Sequence, residues 1–392
     1  MSFPWHYRPW REAAEFVGPR VRDEDRVLAP DQFWSVVTRV ERYVPANLVP
    51  GITYDWVVLD TDAMEQIPRS FLEDAAARMT PVFVNDQFVV WHADDSEEPD
   101  VGLRDGLARF WSRLAKLGAD PSEPNRCVQD LALADSPRIT RLREVDDTEL
   151  RVAMNDWFRR TGYLYPTLRD RTYHEEMRSH IRDLLARHAA GRVLDLATGS
   201  EAFVEVPDAT MLVRTDLAEV GVDVARGADG SRANMMYTVM DAAQSVFPDA
   251  TFDAVLFTDA IEHVRDPGRV LQEAGRVLRP DGVLLVTFAN CNSVNQVLTE
   301  KLGYPRFPTN YQHFREFTLT EIRELLDGAG LEIFETAGVT LYPYWAVPGV
   351  DEIVRKIADD DPEFVAMMAE LGRRAGAEYA YTGVVFARRP AG

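Results

Sequence analysis

Short apolar runs over residues 26–29 and 54–60 predict strands, and residues 70–78 repeat apolar positions at helical spacing. Residues 32–43 set Phe33, Val36, Val37 and Val40 on one helical face, which predicts a helix there. Residues 81–84 and 87–92 read as strands joined at Asn85-Asp86, and residues 101–117 as a closing helix. After residues 118–125, rich in Gly, Pro, Ser and acids, the rhythm changes. Residues 147–158 and 172–188 are helical. Strands then follow at 192–196, 211–215, 237–240, 252–258, 282–288, 331–338 and 379–388, with helices at 267–278 and 320–329. Strands alternating with helices predict an α/β architecture, a doubly wound and mostly parallel sheet. Between the last two strands, residues 341–378 carry two helical patterns, 350–358 and 362–375. An insertion of that kind at a sheet edge serves as a lid, a substrate wall or a dimer surface. The expected division is a small α/β auxiliary domain over 1–120, a linker over 121–145, and a larger domain over 146–392 with its core at 190–290.

Composition narrows the partners. The 392 residues suffice for two domains, and 46% apolar content is ordinary for a chain that buries a core. No run of 18 apolar residues occurs, and the segment from Met1 to Trp10 lacks the layout of a signal peptide, so the expected location is cytoplasmic and off the membrane. A formal net charge of −21 repels nucleic acid and anionic lipid, which points to a small-molecule partner and leaves a homo-oligomer open. Cys127 and Cys291 stand too far apart in sequence to suggest a zinc site or a disulfide framework.

The chemistry concentrates after Arg192. An apolar strand ends in Asp195 and enters a turn through Gly199. A second strand ends in Asp216, about twenty residues beyond Asp195. That layout suits a nucleoside lying across the carboxyl ends of parallel strands, with the second acid taking both ribose hydroxyls.

Further motifs follow in order: Val193-Leu194-Asp195-Leu196-Ala197-Thr198-Gly199-Ser200-Glu201, then Asp216, Met240-Asp241-Ala242, Phe252-Asp253-Ala254-Val255, Thr258-Asp259-Ala260-Ile261-Glu262-His263-Val264 and Arg276-Val277-Leu278-Arg279-Pro280-Asp281-Gly282-Val283-Leu284. Through them the chain from Arg192 onward resembles the class I S-adenosylmethionine-dependent methyltransferases, in particular the small-molecule and quinone-biosynthetic O-methyltransferases. The resemblance implies a Rossmann-like, seven-stranded sheet and S-adenosylmethionine as cofactor. It implies that Asp195, Ala197, Gly199, Ser200, Asp216, Leu217, Asp241, Ala242 and Thr258 surround that cofactor. Asp195 would face the ammonium group, and Asp241 with a neighbouring backbone amide would read the adenine edge. The first motif departs from the family: Ala197 and Glu201 stand where glycines are usual, and Pro207 follows soon after. Either the cofactor binds through a modified turn, or the site serves another ligand or reaction.

Acceptor and catalytic candidates come from the same resemblance. His263 and His313 are candidate general bases. Asp259, Glu262 and His263 match the acid-x-x-Glu-His pattern with which some quinone-biosynthetic relatives hold a divalent metal; a purely structural turn is the alternative for this stretch. Arg315 and Tyr311, in the run Asn310-Tyr311-Gln312-His313-Phe314-Arg315, are candidate substrate contacts or loop anchors. Tyr163, Tyr165 and Arg169 precede the core and are candidates for the acceptor wall, as are Tyr342 and Trp345 in the insertion. The function these readings favour is methyl transfer to a small molecule, most directly at oxygen, in specialised natural-product metabolism. Two alternatives stand beside it. One is a protein of this fold that binds the cofactor but catalyses cyclisation, rearrangement or decarboxylation; the other is a non-catalytic binding module.

Overall fold

The computed structural model describes residues 3–43, 47–48, 51–93, 103–115, 145–161, 172–188, 190–199, 206, 208–229, 232–304, 306, 313–341, 347, 350, 357 and 361–390. The chain forms two compact units. The first takes in Met1–Arg141 with Thr299–Phe307 and Pro343–Ile357. The second takes in Leu142–Leu298, Pro308–Tyr342 and Ala358–Gly392.

The first unit comprises α1 (Arg8–Val17), β1 (Val27–Leu28), β2 (Val40–Glu41), β3 (Trp56–Asp60), α2 (Arg69–Arg78), β4 (Thr80–Val84), β5 (Phe88–His92) and α3 (Leu103–Leu114). Its sheet runs β2-β1-β3-β5-β4, parallel on the β1 side and antiparallel from β3 through the β4–β5 hairpin. Aromatic rings fill its core: Trp10 meets Phe88 edge to face at 4.9 Å, and Trp91 meets Phe110 at 5.0 Å. The helix expected over residues 32–43 does not form. A 3₁₀ turn, Asp31–Ser35, is followed by strand β2. Val36, Val37, Thr38 and Val40 are β-branched, and Val40 gains more from pairing beside Val27 on a buried sheet edge than from a helix in which their χ1 freedom is lost.

The second unit begins with α4 (Asp147–Thr161) and α5 (Thr172–Leu185). It continues through β6 (Gly191–Asp195), β7 (Ala209–Asp216), α6 (Glu219–Asp229), β8 (Met235–Val239), β9 (Phe252–Phe257), α7 (Pro267–Val277), β10 (Leu278–Ala289), α8 (Val294–Lys301, whose residues from Thr299 on fall in the first unit), α9 (Leu319–Gly328), β11 (Glu332–Gly338), α10 (Pro362–Tyr379) and β12 (Thr382–Arg388). The seven strands lie in the order β11-β12-β10-β9-β6-β7-β8, and β12 alone runs antiparallel to its neighbours. This is the Rossmann-like sheet that the motifs imply. Successive residues of each strand face opposite layers. Leu194, Val213, Val255, Phe257 and Val286 pack against Val270, Leu271 and Ala274 of α7 and Ile322 and Leu326 of α9. Val193, Leu212, Ala254, Leu256 and Leu285 pack with Met177, Ile181 and Leu184 of α5. Each such Val, Leu, Ile, Phe or Met side chain contributes roughly 1.5–3 kcal/mol by leaving water.

Helix ends are set locally. Asp266 accepts from the Arg269 amide at 2.9 Å and Pro267 opens α7. Thr318 and Glu321 form a reciprocal capping box at the start of α9. The chain winds outward from β6 through β7 to β8, then returns to β9 on the other side of β6. At such a reversal the loops beyond neighbouring strands part, and a crevice opens at their carboxyl ends.

Candidate active site

Backbone and side-chain hydrogen bonds build the turn beyond β6. Ala197 (φ 52°) and Gly199 (φ 67°) both adopt the left-handed region, a conformation that suits Gly199 and costs Ala197 on the order of 1 kcal/mol or more. The Thr198 amide donates to the Thr215 carbonyl at 2.9 Å, and the Gly199 amide donates to Asp216 Oδ2 at 2.9 Å. On its other side, Asp216 Oδ1 accepts from the Ala218 amide at 2.8 Å. The carboxylate is thus held in a fixed plane at the end of β7. Burial pushes its pKa up, against the backbone amides of Ala218, Gly199 and Leu217.

Asp195 is buried at the end of β6 opposite Arg214 of β7. Thr198 Oγ1 donates to Asp195 Oδ2 at 3.1 Å, and Arg214 Nε lies 3.6 Å from the same oxygen. Asp241, half-buried beyond β8, caps its own turn by accepting from the Ala243 amide at 2.8 Å, beside buried Ala242. The Phe158 ring of α4 covers the turn from outside. It would sit 3.8 Å from a Cβ on Gly199 and 3.2 Å from one on Gly221. Asn155 Oδ1, one turn earlier on α4, accepts from the Val220 amide at the start of α6.

These groups fit an adenosine-type ligand. Each Asp216 oxygen takes one backbone N–H and retains lone pairs for hydroxyl donors. Gly199 leaves the space where a side chain would stand, with Phe158 as its nearest neighbour. Among the cofactor candidates Ser200 lies outside the described residues, as does Glu201, the departure in the motif.

A second cluster lies at the ends of β9 and β10. Buried Thr258 leads into Asp259, which has φ 48°; its amide donates to Thr287 Oγ1 at 2.8 Å. The 3₁₀ turn Ile261–His263 follows, and the Glu262 carbonyl accepts from the Phe314 amide at 2.7 Å. That bond pins the loop before α9 against the turn after β9. His313 Nδ1 and Glu316 Oε1 are 2.8 Å apart and both side chains are buried. The His263 and His313 rings meet edge to face at 4.7 Å. Burial works against a charged His313, but the carboxylates of Glu316, Glu262 and Asp259 outweigh it and raise its pKa. Burial pushes Asp259 up to about 6, opposed by His313 and Thr287. Burial pushes Glu262 up to about 8, opposed by His313 and reinforced by Asp259 and Glu316. Glu262 Oε2 has no hydrogen-bond partner among the described residues.

The structure thus gathers His263 and His313, the two candidate bases. It does not make a metal centre of Asp259, Glu262 and His263: among the described residues no three His, Cys, Asp or Glu side chains are grouped to hold a metal ion. Arg315 is exposed, pairs with Glu321 and lies over the Phe317 ring. Tyr163, Tyr165, Arg169, Tyr311, Tyr342 and Trp345 lie outside the described residues. Phe158, Arg214 and Glu316 were not legible as site residues. The available signal for Arg214 was an arginine inside the otherwise apolar strand that ends in Asp216.

Residues 169–336 match the model of a methyltransferase-domain family, and the relatives that this region resembles are named as methyltransferases. It is 39% identical over 97 residues to a “Probable S-adenosylmethionine-dependent methyltransferase” of Mycolicibacterium smegmatis, covering 25% of this chain and 35% of that one. It is 28% identical to a ubiquinone biosynthesis O-methyltransferase of Azorhizobium caulinodans, covering 42% of this chain and 72% of the relative. A 27-O-demethylrifamycin SV methyltransferase of Amycolatopsis mediterranei is 29% identical, over 28% of this chain and 44% of the relative. The chain therefore spans only about a third of the first of these relatives and under half of the last. Among solved structures, magnesium protoporphyrin IX methyltransferase from Synechocystis PCC 6803 aligns with 62% of this chain and 100% of its own, at 15% identity and a TM-score of 0.42. No helix among the described residues is long and apolar enough to cross a membrane.

Proposed function

We propose that the whole chain is an S-adenosylmethionine-dependent enzyme that methylates a hydroxyl of a small molecule in specialised metabolism. The observation that carries this reading is the Asp216 carboxylate, whose oxygens accept from the Gly199 and Ala218 amides at the carboxyl end of β7, within the region that matches a methyltransferase-domain model. When bound, the cofactor supplies an activated methyl group on a sulfonium, which needs no further activation. The chain's residues have three tasks. Asp216 accepts from the ribose hydroxyls and Asp241 from the adenine amine. Phe158 shields the Gly199 turn from water. His263, half-buried against His313, would hold the proton of an acceptor hydroxyl. The surface charge of −21 favours a small acceptor over a nucleic acid. The relatives named for ubiquinone and rifamycin SV support a hydroxyl acceptor by analogy.

Isothermal titration of the full chain with S-adenosylmethionine tests the reading. Saturable binding is expected. No heat at millimolar cofactor overturns it.

A further inference from the structure

The loop that carries Asp241 is held from one face of α7. Its start is fixed to the sheet: the Met240 amide donates to the Asp216 carbonyl at 2.9 Å, which sets Asp241 beside the end of β7. From Asp241 to Ala250 the chain is neither helix nor strand. Its polar groups go instead to Arg269, Glu273 and Arg276, which share a face of α7 at helical spacing. Arg269 Nε donates to the Ala243 carbonyl at 3.3 Å, and the Ser245 amide donates to Glu273 Oε2 at 3.1 Å. Arg276 Nη2 donates to the Ser245 carbonyl at 3.0 Å and to Glu273 Oε2 at 2.8 Å. Its Nη1 donates to the Phe247 carbonyl at 2.9 Å and to Asp249 Oδ1 at 2.7 Å, and its Nε to Glu273 Oε1 at 3.2 Å. Every guanidinium nitrogen is thus engaged with the loop or with the carboxylate that also holds it. The hydrogen bond from Arg276 keeps the Glu273 carboxyl below its ordinary range. A planar fork can serve these acceptors together, whereas an ammonium cannot.

These bonds exceed what is needed to keep the loop on the body of the second unit. The Phe247 ring meets Phe252 edge to face at 5.0 Å and packs against the core, so apolar contact already retains the loop. What the α7 side chains add is position. Asp241 Oδ1 accepts from the Ala243 amide at 2.8 Å, so the plane of its carboxylate follows the placement of residue 243. The Ala243 carbonyl and the Ser245 backbone are the groups that α7 grips. A base edge is told from its analogues only where each donor meets an acceptor at hydrogen-bond distance and direction. We propose that Arg276, with Glu273 and Arg269, positions the Asp241 loop and thereby sets the preference of the site for adenine over other purines. The inference rests on the cofactor reading above and deepens it: base selectivity is placed in side chains of α7 that act through the loop.

Titration of the full chain with S-adenosylhomocysteine and S-inosylhomocysteine tests this. In the inosine analogue an oxygen replaces the 6-amino donor and N1 becomes a donor, so a carboxylate and an amide N–H both meet the wrong partner while the rest of the ligand is unchanged. The native chain is expected to prefer S-adenosylhomocysteine by about tenfold or more. Arg276→Met is expected to reduce that preference by about fivefold or more, through weaker S-adenosylhomocysteine, with the inosine analogue within about twofold of its native affinity. A general loss of stability would weaken both probes alike. Equal weakening of the two, or an unchanged preference, overturns the inference. If Arg276→Met does not fold, Arg269→Met decides. The Arg269 side chain is 54% exposed and its bond to the loop is the one to the Ala243 carbonyl, so this variant is expected to fold. Its preference for adenine is expected to fall by about twofold or more, and an unchanged preference overturns the inference. A native chain that binds both probes equally overturns the inference and leaves the cofactor reading intact. A native chain that binds neither overturns both.

Discussion

His313 Nδ1 lies 2.8 Å from Glu316 Oε1, with both side chains about 95% or more out of solvent. The pair sits in the loop that the Glu262 carbonyl pins to the end of β9. Such a contact orients the imidazole and settles where its other nitrogen faces.

Breaking that pair has a pH signature. The folded pKa of His313 is raised, so its contribution to stability is fully present below the unfolded value near 6.5 and is lost as pH rises through the folded value. Glu316→Gln is expected to lower stability by about 3 kcal/mol at pH 6, and by less at pH 9. Chemical denaturation of both proteins at the two pH values checks this; an equal gap at both would show that the carboxylate does not hold the histidine charged.

Glu262 has a related dependence through burial. Its folded pKa, about 8, stands above the ordinary glutamate value of 4.5, so stability is lost as pH rises through that window. Glu262→Gln removes the titration. Its stability relative to the native chain is expected to improve between pH 5 and pH 9 by on the order of 2 kcal/mol. Thermal melts across the range would show parallel curves if the carboxyl were ordinary.

Asp216→Asn keeps the size of the side chain but replaces one acceptor oxygen by a donor. One of the two turn amides and one ribose hydroxyl lose their partner. S-adenosylmethionine affinity is expected to fall by at least tenfold, about 1.4 kcal/mol, with the far-ultraviolet spectrum unchanged. Unaltered affinity by titration would remove Asp216 from the binding site.

Helix α10 approaches the end of β11 at backbone contact. A Cβ on Gly372 would lie 2.3 Å from the backbone nitrogen and Cα of Thr340. No rotamer change relieves a clash with main chain, so Gly372→Ala is expected to cost about 1–3 kcal/mol and lower the melting temperature by several degrees. A melting temperature within one degree of the native value would mean that the helix can slide away freely.

Much of the second unit was legible from local pattern. The apolar strands and the acids at the strand ends lie close together along the chain, and their spacing reports the period of the element that holds them. Asp195, Gly199 and Asp216 were found this way because a turn between parallel strands must place them at one end of the sheet. Long-range competition was not legible. Residues 32–43 have a helical pattern, yet pairing with β1 and burial at the sheet edge turned Val40–Glu41 into a strand. The resemblance to quinone-biosynthetic relatives suggested a metal at Asp259, Glu262 and His263, but only the fold shows the burial of Glu262 and the meeting of His263 with His313 some fifty residues on. Arg214 reads in sequence as an interruption of an apolar strand. Its role depends on the register that sets it opposite Asp195, and register is decided by hydrogen bonding between distant segments, which no local pattern encodes.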